Sequence, residues 1–208
     1  MIDFHNKIIF LHIPKTGGTA IESYFATIRG ISCQDLAPLG VFINSKKSVL
    51  ERQNTHNSLF MIEQYIFGGG IPEEYEIFTV VRHPLSRFIS EVRSRRLPPP
   101  RWSPIHVRVP PWMMLYFMKN PYHRLKDLNC HLRPQATFLE GAARDRVKVL
   151  RFETLSNDFN CLQKKLQLPE LPLPIANASS GRIPQPPKRV IDQVVDFYKA
   201  DFELFGYT

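Results

Sequence analysis

The chain has 208 residues, of which 43% are hydrophobic and 22% charged, with a formal net charge of +8. That length suits one domain with a real core, and the composition excludes a wholly disordered, collagen-like or coiled-coil chain. No apolar run approaches the roughly 18–20 residues of a membrane helix, and the burst from Ile8 to Leu11 is too brief for a signal peptide. Cys33, Cys130 and Cys161 are widely spaced, without a CxxC pair. Neither a disulfide scaffold nor a cysteine-rich zinc site is expected, and a reducing cytoplasm is the simplest compartment.

In chain order, Lys7 to Leu11 is a short apolar run ending at a Pro/Gly turn, the pattern of a buried strand. Ile21, Tyr24, Phe25 and Ile28 then recur at helical spacing. A polar turn around His56 precedes a stripe of Leu59, Ile62 and Ile66. Glu76 to Val81 reads as a second buried strand. Pro84 follows, suited to a helix's first turn, with Leu85, Phe88, Ile89 and Val92 as that helix's buried face. Val147 to Phe152 reads as a third strand, feeding a helix with Leu155, Phe159, Leu162 and Leu166. One last helix carries Ile191, Val194, Val195, Tyr198, Phe202 and Phe205. Of 18 prolines, seven fall between Pro98 and Pro121 and six between Pro169 and Pro187, so both stretches are expected to be surface loops. The alternation predicts an α/β fold: a single three-layer, P-loop-like domain over residues 1–208, with a short, mainly parallel sheet flanked by helices. In such sheets ligands bind beyond the carboxyl ends of the strands, so the first two strand–helix junctions matter most.

Charge gathers near the second junction. From Arg82 to Arg108 there are seven arginines and one acid, Glu91, a surplus of +6. Such a segment attracts anions, although an arginine-rich, solvated helix end reads the same way.

At the first junction stands Leu11-His12-Ile13-Pro14-Lys15-Thr16-Gly17-Gly18-Thr19-Ala20. Two glycines let the backbone approach a ligand, the helix start offers N–H groups, and Lys15 and Thr19 add a cation and a hydroxyl. This is the chemistry of a phosphate site. The usual nucleotide-triphosphatase loop places its lysine after the glycines, whereas here the lysine precedes them. The second strand ends in Arg82 rather than in a magnesium-binding aspartate, which fits a metal-dependent kinase poorly.

His12 to Thr19, HIPKTGGT, resembles the first motif of sulfotransferases that use 3′-phosphoadenosine-5′-phosphosulfate (PAPS), above all the carbohydrate O-sulfotransferase branch. The second junction, Val81-Arg82-His83-Pro84-Leu85-Ser86-Arg87-Phe88-Ile89-Ser90, carries the same resemblance. It implies that Arg82 and Ser90 hold the donor's 3′-phosphate, and that Lys15, Thr16, Gly17, Gly18, Thr19 and Ala20 hold its 5′ end. His131 to Leu139 is similar to a segment recurring in that branch, with Gln135 near the cleft, while Phe138 and Leu139 also suit a core. Asn177 to Arg182 resembles a late polar loop over the cofactor phosphates, which implicates Ser179 and Arg182. The implied activity is transfer of a sulfuryl group from PAPS to a hydroxyl acceptor, a carbohydrate or small molecule. No metal, nucleic acid or membrane span is expected.

A hydroxyl nucleophile needs a proton acceptor, and neutral imidazole suits that role near pH 7. His56, in the turn Gln53-Asn54-Thr55-His56-Asn57-Ser58 between the two junctions, is the expected general base, with Lys15 as its catalytic partner. The same turn could simply cap a helix. His12 is the second choice, because a strand-end position tends to pack it under the loop. No histidine pairing suggests a metal site. Two rival readings are a P-loop-like small-molecule kinase, and a non-catalytic basic module binding acidic glycan or nucleic acid through the arginine segment.

Overall fold

The computed structural model describes residues 1–30, 56–94, 130–174 and 186–208, together with 96–97, 107–108, 115 and 118. Among these the elements in chain order are β1 (Ile2–Asp3), β2 (Ile8–Leu11), α1 (Gly18–Arg29), α2 (Leu59–Tyr65), β3 (Glu76–Val81), α3 (Pro84–Ser94), β4 (Arg96–Leu97), β5 (Val107–Arg108), β6 (Val147–Arg151), α4 (Leu155–Lys165), α5 (Lys188–Phe197) and α6 (Lys199–Phe205). The chain divides into two compact units, Met1–Arg82 with Gln135–Asn177, and His83–Pro134 with Ala178–Thr208.

The first unit holds the sheet, in the order β1-β2-β3-β6. β2, β3 and β6 run parallel, with Phe10 opposite Phe78 and Val80 opposite Leu150, and β1 adds an antiparallel edge that the hydrophobic pattern did not announce. Successive strand side chains point to opposite faces. Ile8, Phe10, Phe78, Val80 and Leu150 therefore meet Ile21, Tyr24 and Phe25 of α1 and Phe159 and Leu162 of α4. Ile9, Leu11 and Ile77 point the other way and pack with Leu59 and Ile62 of α2 and with Ile71 and Tyr75. Burying each such side chain is worth about 1.5–3 kcal/mol, so both faces of the short sheet must be covered, and the result is the expected three layers. Residues at the carboxyl ends of β2 and β3 are carried to one edge of this sheet, because the two strands are parallel and in register from Ile8–Glu76 to Leu11–Thr79.

In the second unit α3 buries Phe88 and Val92 with Leu132, Val190, Val194 and Tyr198. β4 and β5 pair antiparallel, Arg96 opposite Arg108. Two expectations need correction here. The last helix is two, α5 and α6, broken at Tyr198 with φ −97° and ψ 19°. The buried Tyr198 ring is tied by its hydroxyl to the Leu132 carbonyl at 2.8 Å, and burial pushes that hydroxyl's pKa up to about 12 against the charge of Arg87. The Asp201 N–H then bonds the Tyr198 carbonyl and starts the next turn.

The second correction concerns Arg87, which belongs to no anion-binding surface. It is only 1% exposed and donates to the main-chain carbonyls of Arg133 and His131, at 2.9 and 2.7 Å. Glu91, also buried, accepts from His131 Nδ1 at 2.9 Å. A buried guanidinium without such acceptors would cost several kcal/mol, so these carbonyls hold it in place. Arg95 and Arg101 lie outside the described residues, as do the side chains of Arg96 and Arg108. Among the described residues no helix is long and apolar enough to cross a membrane.

Candidate active site

The loop from His12 to Gly18 leaves β2 and becomes α1, and its shape comes from two left-handed residues. Lys15 has φ +69° and Gly17 φ +91°. Glycine adopts that conformation without penalty, but a lysine there costs on the order of 1 kcal/mol, which the surrounding bonds must outweigh. One such bond is known: the fully buried Thr16 hydroxyl donates to the Ile13 carbonyl at 2.8 Å. Thr16 thus closes the loop with its side chain. Gly17 is the N-cap of α1 and makes no side-chain cap hydrogen bond, and the first turn contains no acid. The opening N–H groups of a helix have no intrahelical acceptor, and the helix start carries a partial positive charge, so this end suits an anion. The first bond back into the loop comes from Ala20, whose N–H donates to Gly17 at 3.0 Å. Lys15 is half-buried and Thr19 exposed.

Arg82 follows β3 directly. Its guanidinium Nη1 donates to the Lys15 carbonyl at 3.3 Å, and its guanidinium carbon lies 4.1 Å from the centre of the Phe152 ring. Phe152 also borders the loop: a Cβ on Gly17 would come within 3.1 Å of it and of Leu155. The main chain of Arg82 is held by the buried Gln135, whose Oε1 accepts from the Arg82 N–H and whose Nε2 donates to the Arg82 carbonyl, both at 2.9 Å. The strand-end arginine and the lysine loop, 67 positions apart, are therefore neighbours.

Two histidines meet beside the loop. His56 Nδ1 lies 3.0 Å from the His12 carbonyl, and the two rings stand edge to face with centroids 4.5 Å apart. A carbonyl only accepts, so His56 Nδ1 carries the proton and, in the neutral ring, Nε2 holds the lone pair. His12 is buried, stacked on Phe10 at 5.6 Å, and donates from Nδ1 to Glu22 Oε1 at 2.7 Å. Burial pushes the Glu22 carboxyl up, but the hydrogen bond and charge of His12, with smaller help from the N-terminal amine and His56, outweigh it and hold the pKa below its ordinary value. The His12 ring lies against Gly18, where a Cβ would overlap it. This is the packing under the loop expected of a strand-end position.

The capping role foreseen for the His56 turn falls to Ser58, whose hydroxyl accepts from the Met61 N–H at 3.4 Å. The helix it opens, α2, is fastened by the buried Glu63, which accepts from the Ala142 and Ala143 N–H groups at 3.0 and 2.7 Å. Phe138 and Leu139 are core, as their composition allowed. Ser90 is half-buried on α3, in the second unit. His83 in that unit faces the Phe202 and Tyr207 rings, each at 5.4 Å. Ser179 and Arg182 lie outside the described residues. Sequence reasoning missed Glu22 and Phe152, since a lone acid on a helix and a phenylalanine after a strand carry no signal of their own. Gln135 had a signal, its segment, without a stated contact.

The model of the sulfotransferase family matches residues 1–208. No curated protein and no solved structure gave a match.

Proposed function

From the membership of this chain in the sulfotransferase family, we propose that it transfers the sulfuryl group of PAPS to a hydroxyl acceptor, a carbohydrate or small molecule, by in-line displacement. The observation that carries this reading is the adjacency of two cations to one helix start. Lys15 sits in the strained loop that opens α1, and Arg82 bonds that loop's carbonyl at 3.3 Å. PAPS bears charge at both ends, a 5′-phosphosulfate and a 3′-phosphate, and the donor set here suits such a molecule: main-chain N–H groups, an ammonium, a hydroxyl and a guanidinium.

In the proposed reaction the acceptor oxygen attacks sulfur while the bond from sulfur to the 5′-phosphate oxygen breaks, releasing adenosine 3′,5′-bisphosphate. Lys15 and the N–H groups of Gly17, Gly18 and Thr19 meet the charge growing on the leaving oxygen, which is where aimed donors gain most, while Ala20, whose own N–H is bonded to Gly17, lines the loop beside them. Thr16 keeps the loop shut. His56 Nε2 takes the acceptor's proton, supported by the bond that leaves that nitrogen unprotonated in the neutral ring. Arg82 and Ser90 are proposed to bind the 3′-phosphate, on the resemblance of the second junction, with Ser179 and Arg182 over the phosphates. The two units work as one sulfotransferase domain in this reading. A reducing, cytoplasmic setting is proposed on the three dispersed cysteines, of which Cys130 and Cys161 are free thiols.

The test is transfer of label from ³⁵S-labelled PAPS to a panel of sugars and small hydroxyl compounds, with calorimetric titration of adenosine 3′,5′-bisphosphate. Label appearing in one acceptor class, with bisphosphate binding, supports the reading. Absence of both transfer and bisphosphate binding would end it.

A further inference from the structure

We infer that Gln135 is the positioning residue through which this chain recognises the 3′-phosphate end of its donor: its side-chain amide clamps the main chain of Arg82. The inference rests on the proposed role of Arg82.

β3 pairs with β6 as far as Val81 opposite Arg151, and Arg82 is the first residue past that register. A strand end normally loses its ladder partners there and frays. Instead the Arg82 N–H and carbonyl both bond a single amide, Gln135 Oε1 and Nε2, each at 2.9 Å. A glutamine amide presents one acceptor and two donors in a plane, which lets it stand in for the missing peptide of a neighbouring strand. Gln135 has no exposure, and it opens a short 3₁₀ turn whose Phe138 and Leu139 are core, so it has little freedom to move. Two bonds through one planar group fix the orientation of the Arg82 peptide units, and with it the direction in which the side chain leaves.

That direction has visible consequences. The guanidinium lies over Phe152 and donates to the Lys15 carbonyl. The clamp, the arginine and the strained lysine form a continuous chain of bonds, Gln135 to Arg82 to Lys15. Gln135 therefore acts through Arg82 and is not itself a catalytic residue. Removing it should free Arg82 to turn away, weakening what Arg82 holds directly more than ligands held by the Lys15 loop alone.

The experiment compares binding of adenosine 3′,5′-bisphosphate and adenosine 5′-monophosphate to wild type, Gln135→Met and Gln135→Glu. Methionine keeps the length of the side chain and removes both bonds. The expected result is a loss of roughly 5–20-fold in affinity for the bisphosphate and a smaller loss for the monophosphate, whose loop gives up only the Arg82 bond to the Lys15 carbonyl. In an Arg82→Ala background Gln135→Met should cost nothing further. Gln135→Glu gives a readout that folding defects do not imitate. Its carboxylate can accept from the Arg82 N–H but repels the Arg82 carbonyl, whereas the protonated acid can make both bonds. Its preference for the bisphosphate, taken relative to wild type at each pH, should recover between pH ~8.5 and ~5.5, helped by burial, which raises a carboxyl's pKa. Equal weakening of both nucleotides, additivity with Arg82→Ala, or a pH-independent Gln135→Glu ratio would overturn the inference alone. A wild type with no preference for the bisphosphate would instead remove the cofactor reading, and this inference with it.

Discussion

Gly18→Ala tests how tightly the loop is built around His12. A Cβ at Gly18 would overlap the imidazole, and even Cε1, the farthest of the three nearest ring atoms, would lie at 2.8 Å. Non-bonded carbons prefer about 3.5–4.0 Å and the nearest ring atoms would lie at 2.2 Å, so the ring must retreat by roughly 1.3–1.8 Å. It has nowhere to go cheaply. His12 is buried, stacked on Phe10, bonded to Glu22 at 2.7 Å, and its carbonyl holds His56. Overpacking costs about 1–3 kcal/mol, and losing the charge-assisted Glu22 bond about 1.5–3 kcal/mol, though the two overlap. Gly18 opens α1 and has no positive φ, so alanine returns up to about 1 kcal/mol of helix propensity. The net expectation is a loss of about 2–4 kcal/mol, read as a lower urea midpoint for the first unit with an unchanged slope. The control is the same change in a His12→Ala background, where the clash is gone and Gly18→Ala should become neutral or mildly stabilising. A loss below about 0.5 kcal/mol in the wild-type background, or the same loss in both backgrounds, would refute the steric account.

Three further outcomes follow from the same geometry. Lys15→Ala should lower kcat by roughly 10²–10³-fold in the labelled-transfer assay while bisphosphate affinity falls less; near-normal turnover would remove Lys15 from the mechanism. His56→Ala should lower turnover about 10²–10⁴-fold, keep bisphosphate binding, and lose the acidic limb of the pH–rate profile, and a variant that retains rate and limb would redirect the search to His12. Asp3→Asn should cost about 1–2 kcal/mol at pH 7, by denaturant titration. Burial raises the Asp3 carboxyl, but the Asn6 bonds and the Arg29 partner prevail and hold its pKa below the ordinary value. Its stabilisation is therefore complete above the ordinary aspartate pKa and fades as pH falls through the lower folded value, so the gap between wild type and Asp3→Asn should close on acidification. A gap that widens in acid would contradict that assignment.

Local chemistry made much of this protein legible before any coordinates. The apolar run Ile8–Leu11 and the mostly apolar Glu76–Val81 are short and rich in strand-forming residues, so they read as buried strands, and helical spacing after each leaves a parallel α/β sheet as the consistent solution. The loop of lysine, threonines and two glycines between a strand and a helix was legible too, because it closes on itself within a few residues, Thr16 bonding Ile13 and Ala20 bonding Gly17. What no reading of a one-dimensional string could decide are pairings between residues far apart in sequence. The Thr79 hydroxyl bonds the Leu11 carbonyl across 68 positions, Gln135 clamps Arg82 across 53, and His56 reaches His12 across 44. Each partner is an ordinary residue with many possible roles, and only packing selects one. The same holds for charge: Arg87 and Arg82 look alike in the string, yet one is sealed among the carbonyls of the second unit while the other lies over an aromatic ring beside the loop. Sequence states which groups are present. Burial, which makes an unpartnered polar atom costly, decides which of them must meet.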